Sequence, residues 1–158
     1  MFKYDSIADL IAEAQKRGKN ISDIVIEEQA EACETTEEKM YERMLNSFKI
    51  MQMSIENGME KDTRSVSGLT GGSAWKMKQR VDSGENICGH VFGEAMSMAL
   101  AVAETNACMG KIVAAPTAGS CGIMPATIVS VMNEKKIPVK KVVMSLFTSS
   151  AIGLVIAH

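Results

Sequence analysis

The sequence has few aromatic residues, few prolines and no strong excess of charge. Aromatic side chains make up 4% of its 158 residues, and proline occurs three times. The formal net charge is −2 at pH 7, so the composition favours neither nucleic acid nor an anionic membrane surface as a partner. The N-terminus lacks the apolar core of a signal peptide, which predicts a cytoplasmic, reducing location.

The cysteines are also sparse and widely spaced. Cys33, Cys88, Cys108 and Cys121 include no C-x-x-C pair. Cys88 and Cys108 flank one helical pattern and would stand roughly 30 Å apart on a continuous helix, too far to share one metal centre. We therefore interpret the four cysteines as buried neutral thiols.

Alanine is abundant and methionine reaches 13 residues, which favours helices with small residues at close crossings. Apolar residues recur with a helical period, so we predict an all-α fold with Gly-rich loops between the helices. The predicted helices run from Asp5 or Ser6 to Gly18, from Asn20, from Thr35–Thr36 to Gly58, from Ser73 to near Gly84, from Asn86 to Met109, from about Pro125 to Glu134, and from Val142 to Ala157.

Residues 1–158 are predicted to form one helical domain, with N-terminal helices in 1–58, a Gly-rich loop in 59–72 and the remainder in 73–158. The last predicted helix is shorter than the ~20 residues of a membrane span, so we interpret it as a buried helix. It stops at His158 without a polar tail, which suggests a chain truncated at its C-terminus. The apolar surface left uncovered would make the chain prone to association.

Two loops of small residues interrupt the helical patterns. The first spans Lys61–Gly72, and the second lies between Met109 and Pro125. Glycine lets backbone N–H groups approach a ligand, and a helix N-terminus after such a loop suits an anion such as a carboxylate. The alternatives are a flexible linker for the first loop and a tight turn between helices for the second.

Three segments together resemble the α subunit of iron–sulfur-dependent L-serine dehydratase: Ser67–Gly72 (SGLTGG), Glu104–Gly110 (ETNACMG) and Ala115–Ser120 (APTAGS). The similarity extends over essentially the whole chain. It implies an all-α catalytic part of a lyase that converts L-serine to pyruvate and ammonia. It also implies a [4Fe-4S] cluster acting as Lewis acid, no pyridoxal phosphate, a separate β subunit and an oligomeric enzyme.

The resemblance also implies which residues hold the substrate, although it identifies no catalytic base. The substrate-binding residues expected from it are Thr70, Gly71, Gly72, Thr117, Ala118, Gly119 and Ser120. The family's cluster cysteines are expected downstream of His158, so we expect no metal ligands, no stable cluster and no activity in the isolated chain. The alternatives are a non-catalytic helical interaction module, an inactive truncated fragment, and a free-standing binder of small carboxylates.

Overall fold

A computed structural model describes residues 4–114 and 119–157 of the chain. These residues form seven α-helices and no strand, which confirms the all-α prediction. The helices are α1 (Ile7–Arg17), α2 (Ile21–Ala32), α3 (Glu37–Gly58), α4 (Ser73–Asp82), α5 (His90–Ala107), α6 (Ser120–Lys135) and α7 (Val139–Ala157).

The predicted helix ends are confirmed where the sequence offers clear capping residues. The Ser6 hydroxyl accepts a hydrogen bond from the Asp9 N–H at 3.1 Å, and Gly18 ends α1 with a φ of 62°. At the start of α3, the Thr36 hydroxyl accepts from the Lys39 N–H at 3.3 Å. Short polar side chains satisfy N–H groups in a first helical turn, which is why these boundaries can be predicted from local sequence.

The predicted start of α6 is wrong. Pro125 was expected in the first turn, but α6 begins five residues earlier at Ser120, and the proline is buried inside the helix. Gly122, in the first turn, lies against α5, where a methyl group on it would come within 2.9 Å of the Ala99 carbonyl oxygen. The helical turn before the proline is thus the part of α6 that packs closely against α5. Pro125 itself lacks a backbone N–H and so removes one hydrogen-bond donor from the helix.

The chain divides into two compact units, Met1–Asn46 with Pro138–His158 and Ser47–Ile137. In the first unit α2 packs against α1 and α7. Ile24 and Val25 of α2, and Val143 and Phe147 of α7, are almost completely shielded from solvent. The first unit is thus held together mainly by apolar side chains of α2 and α7.

Helix α7 is the one described helix whose length and apolar composition would suffice to cross a membrane. Five of its side chains are buried: Val142, Val143, Leu146, Phe147 and Ala151. The other residues of α7 are half-buried or exposed, so only part of its surface is covered within the unit, including the part that packs on α2.

In the second unit α4 and α6 both pack along α5, and the C-terminal end of α3 approaches α5 closely. A methyl group on Gly58, the last residue of α3, would lie 1.8 Å from the Ala101 carbonyl oxygen. Ala101 and Val102 are fully or almost fully buried on the same part of α5. The crossing of α3 and α5 therefore depends on a residue without a side chain.

We predict that Gly58→Ala destabilises the protein by about 1–3 kcal/mol, because the added methyl group must displace the α5 backbone. The matched control is Gly153→Ala in α7, where a Cβ would meet no atom within 4 Å. That change should be neutral or stabilise by about 0.5–1 kcal/mol, because alanine is the better helix former. Denaturant unfolding of both variants provides the measurement, and equal effects would contradict the described crossing.

Candidate functional site

The buried carboxylate of Glu104 is the central feature of the second unit. Glu104 lies on α5 and is only 3% exposed. Its Oε2 accepts the Gly72 N–H at 2.9 Å, and its Oε1 accepts the N–H groups of Ser73 and Ala74 at 2.6 and 3.3 Å. These donors belong to the N-terminus of α4, where backbone N–H groups lack helical partners and the helix dipole favours a negative charge.

The loop before α4 is shaped to present these N–H groups. Gly71 and Gly72 have φ values of 141° and 79°, which residues with a Cβ rarely adopt. Further back, the Ser65 N–H donates to the Thr70 carbonyl at 2.8 Å, and the Thr70 N–H donates to the Ser65 hydroxyl at 3.1 Å. The segment between Ser65 and Gly72 is therefore a closed turn that leads into α4.

Thr105, the next residue on α5, makes a second buried polar contact. Its hydroxyl donates to the Ser54 carbonyl of α3 at 2.6 Å, and Thr105 is 3% exposed. Glu104 and Thr105 thus link α5 to α4 and to α3 through consecutive side chains. Buried polar groups are expensive to leave unpaired, so the bonds of these two side chains specify the arrangement of the three helices.

A charged pair adds a further link between α4 and α5. The Lys78 ammonium lies 2.7 Å from the Glu94 carboxylate and 2.5 Å from that of Asp82. Hydrogen bonds to Asp82 and then to Glu94 raise the pKa of Lys78 above its ordinary value. Lys78 therefore stays protonated throughout the neutral range and holds α4 against α5 on the solvent side.

A small cleft lies beside the Glu104 contact. It has a volume of about 230 Å³ and is lined by Asn57, Thr63, Arg64, Thr105, Cys108 and Gly110. The Thr63 hydroxyl is already used, since it donates to the Asn57 carbonyl at 3.0 Å. The cleft thus combines the end of α3, the segment before the Gly-rich turn, and the end of α5.

The structure describes some of the predicted substrate-binding residues and not others. Thr70 is exposed, and the N–H of Gly72 is bonded to Glu104. Gly119 precedes α6 and Ser120 is its first residue, whereas Thr117 and Ala118 lie outside the described residues. The Gly-rich turn and the start of α6 both lie against α5, the turn at Glu104 and α6 where Gly122 meets Ala99.

Glu104 is the site residue that sequence reasoning assigned no role. It is one of two acids, with Glu94, inside a largely apolar helical pattern, and an acid that is buried there needs a partner. Nothing in the local sequence identifies that partner, because the N–H groups that it accepts lie 30 to 32 residues earlier in the chain.

The cysteines do not form a metal centre within the described residues. No three His, Cys, Asp or Glu side chains come together there in a way that could hold an ion. Cys88 and Cys108 lie on either side of the 18-residue helix α5, which is about 27 Å long. The two cysteines are therefore separated by the whole length of that helix.

The prediction that all four cysteines are buried is wrong. Cys33 and Cys88 are exposed, and Cys108 and Cys121 are half-buried. Cys33 and Cys108 follow the ends of α2 and α5, and Cys88 precedes α5. Positions between helices lie at the surface more often than positions within an apolar stripe, which explains the error for these three cysteines, whereas Cys121 lies in the first turn of α6.

Comparison with known proteins gives a consistent result. The family model described as serine dehydratase alpha chain matches residues 16–158. The chain belongs to this family. It is 34% identical over 155 residues to a probable L-serine dehydratase, alpha chain, of Bacillus subtilis, covering 98% of this chain and 51% of the relative. It is also 34% identical over 148 residues to the L-serine dehydratase, alpha chain, of Peptoniphilus asaccharolyticus, covering 94% and 51%.

Relatives whose names do not specify an alpha chain are less similar in sequence. L-serine dehydratase 2 of Escherichia coli is 29% identical over 136 residues, which cover 80% of this chain and 28% of the relative. The chain thus spans about half the length of the alpha-chain relatives and a smaller share of the longer enzymes. No solved structure matches it.

We predict that Glu104→Gln lowers the free energy of unfolding by about 1.5–3 kcal/mol, because bonds between backbone N–H groups and a charged acceptor are lost. Glu134→Gln is the matched control, since Glu134 is exposed near the end of α6. Surface changes of that kind stay within about 0.5 kcal/mol. Chemical denaturation of the two variants tests this, and indistinguishable midpoints would mean that the Glu104 contact does not stabilise the unit.

Proposed function

We propose that this chain forms the substrate-holding part of an L-serine dehydratase, a lyase that converts L-serine to pyruvate and ammonia. The observation that supports this most is the joining of two family-like segments. Glu104, from Glu104–Gly110, accepts the N–H of Gly72, the last residue of Ser67–Gly72, and those of the next two residues, so segments about 30 residues apart form one site. Family membership and the names of the alpha-chain relatives support the choice of substrate and reaction.

The reaction makes a positioning demand on the protein. Serine must lose its α-proton and its β-hydroxyl, after which the enamine product hydrolyses to pyruvate and ammonia. Holding the carboxylate and amine in a fixed orientation presents the α-hydrogen and the hydroxyl to their reaction partners. We assign this task to the loops Thr70–Gly72 and Thr117–Ser120, with the hydroxyls of Thr70, Thr117 and Ser120 as hydrogen-bonding groups.

The Gly72 contact refines this assignment. The three N–H groups at the start of α4 are occupied by Glu104, so the helix N-terminus is satisfied from within the unit. The turn therefore contributes to the site mainly by the position and side chain of Thr70, which is exposed just before the two glycines. Glu104 acts as a positioning residue that fixes this turn.

We further propose that the chain works with a β chain and with cluster ligands from outside the described residues. The alpha-chain names of the relatives support the first point. The second is supported by the absence of a three-ligand group among the residues that the structure describes. On this proposal the chain alone is inactive, and activity belongs to the assembled, cluster-containing enzyme.

We predict that Thr117→Ala lowers kcat/KM for L-serine roughly ten- to a hundred-fold in the assembled enzyme. This is the effect of losing one hydrogen bond to a charged group, about 1.5–3 kcal/mol. Thr127→Ala is the matched control, because its hydroxyl donates only to carbonyls of its own helix, those of Ile123 and Met124. Pyruvate release at varied L-serine concentration gives kcat and KM, and the melting temperatures of the variants are measured in parallel.

Two results would contradict the proposal. If Thr117→Ala changed only the melting temperature, the second loop would be a helix cap without a role in substrate binding. If the assembled protein released no pyruvate from L-serine, the interaction-module or carboxylate-binder alternative would be favoured.

A further inference from the structure

Arg64 is a cation without an acidic partner in the described chain. Its Nη1 donates to the Thr63 carbonyl at 2.6 Å, which leaves most of its five N–H groups for other acceptors. The ion pairs found among residues 4–114 and 119–157 join Lys16 and Arg17 to Glu13, Arg17 to Glu28, Lys19 to Glu27, Lys78 to Asp82 and Glu94, and Arg80 to Glu85. Arg64 takes part in none of them.

The guanidinium of Arg64, an exposed residue, lies against the Gly-rich turn. A methyl group on Gly72 would lie 2.7 Å from Nη1 and 3.2 Å from Nη2, so the guanidinium packs on the space that a side chain would fill. Gly72 is itself held, because its N–H donates to the buried Glu104 carboxylate. The arginine therefore lies against the start of α4, at the residue that is bonded to α5.

The cleft beside Arg64 has the charge and size for a small anion. Of the described residues that line it, Arg64 is the one cation and none is an acid, and the Asn57 amide and the Cys108 thiol are further polar groups. Its volume of about 230 Å³ falls below the ~300 Å³ at which pockets for drug-sized ligands begin. A planar guanidinium binds a carboxylate through two parallel N–H···O bonds.

We propose that this cleft binds the carboxylate of the substrate, with the Arg64 guanidinium as its charged partner. The identity of the ligand as L-serine rests on the proposed function, whereas the site for a small carboxylate rests on the cleft itself. Arg64 adds the charge that the hydroxyls of the two loops lack. Glu104 accepts the Gly72 N–H, and the Arg64 guanidinium lies against Gly72, so the three residues are connected by direct contacts.

The test is a titration of the isotopically labelled 158-residue chain with L-serine and with L-serinamide, followed by NMR. L-serine should shift the Arg64 Nε–H signal and the amide signals of Thr63 and Gly110. L-serinamide, which lacks the carboxylate, should leave them in place. Arg64→Gln should weaken L-serine binding about ten- to a hundred-fold, and Arg64→Lys, which keeps the charge without the fork, should fall between.

Arg80→Gln is the control, because Arg80 is exposed on α4 and pairs with Glu85 outside the cleft. It should bind L-serine as the unchanged chain does. Circular dichroism spectra and melting temperatures show that each variant is folded. Equal binding by the unchanged chain and a folded Arg64→Gln variant would overturn the proposal, as would shifts of the same signals by L-serinamide.

The same variants separate this proposal from the proposed function. Pyruvate release by the assembled enzyme that is insensitive to Arg64→Gln would overturn the carboxylate site and leave the reaction in place. Arg64-dependent carboxylate binding, together with no pyruvate release by the assembled, cluster-containing protein, would support the site and reject the reaction. In an active enzyme we expect Arg64→Gln to act mainly through a raised KM, because the contact is made already in the bound substrate.

Discussion

The second unit depends on one buried charge placed at the start of a helix. The Glu104 carboxylate replaces water with three backbone N–H donors, Gly72, Ser73 and Ala74. A charge in the interior is tolerated only when its oxygens are hydrogen-bonded, and the N-terminus of α4 supplies both the donors and a favourable dipole. Because the acid lies on α5 and the donors on α4, the same contact that satisfies the charge also sets the register between the helices.

Close packing does the rest of the positioning. Gly58 meets the Ala101 carbonyl where α3 crosses α5, and Gly122 meets the Ala99 carbonyl where α6 begins. The Thr105 hydroxyl bonds the Ser54 carbonyl about one turn further along α5. Helix α5 is therefore the common support for the end of α3, for the Gly-rich turn before α4 and for the start of α6. A substrate site built on such a support is more rigid than one built on the loops alone.

The sequence predicts well what local chemistry determines. Ser6, Gly18 and Thr36 mark helix ends because capping needs only residues within one turn. The predicted start of α6 was wrong because the preference of proline for the first turn of a helix does not include a tertiary contact such as that of Gly122 with α5. Among the methionines of α3, Met51 is buried, whereas Met40 and Met44 are only half-buried. Periodicity gives the face of a helix but not how much of that face is covered.

In the candidate site, too, local features could be predicted and tertiary contacts could not. The Gly-rich turn and its suitability for an anion could be predicted, since glycines before a helix expose N–H groups. That the anion is Glu104, a residue about 30 positions away, could not, because no local pattern encodes a contact between α5 and α4. Arg64 was not singled out for the same reason: its importance comes from resting on Gly72 and facing the cleft, which only the fold reveals.

Amide hydrogen exchange at the start of α4 tests the central claim most directly. First-turn N–H groups of a helix normally lack partners, and those of Val91 and Phe92 in the first turn of α5, which has no side-chain cap, provide an internal reference. If the buried Glu104 carboxylate holds the unit together, the N–H groups of Gly72, Ser73 and Ala74 will exchange much more slowly than those of Val91 and Phe92. Exchange of all five at similar, fast rates would contradict the account.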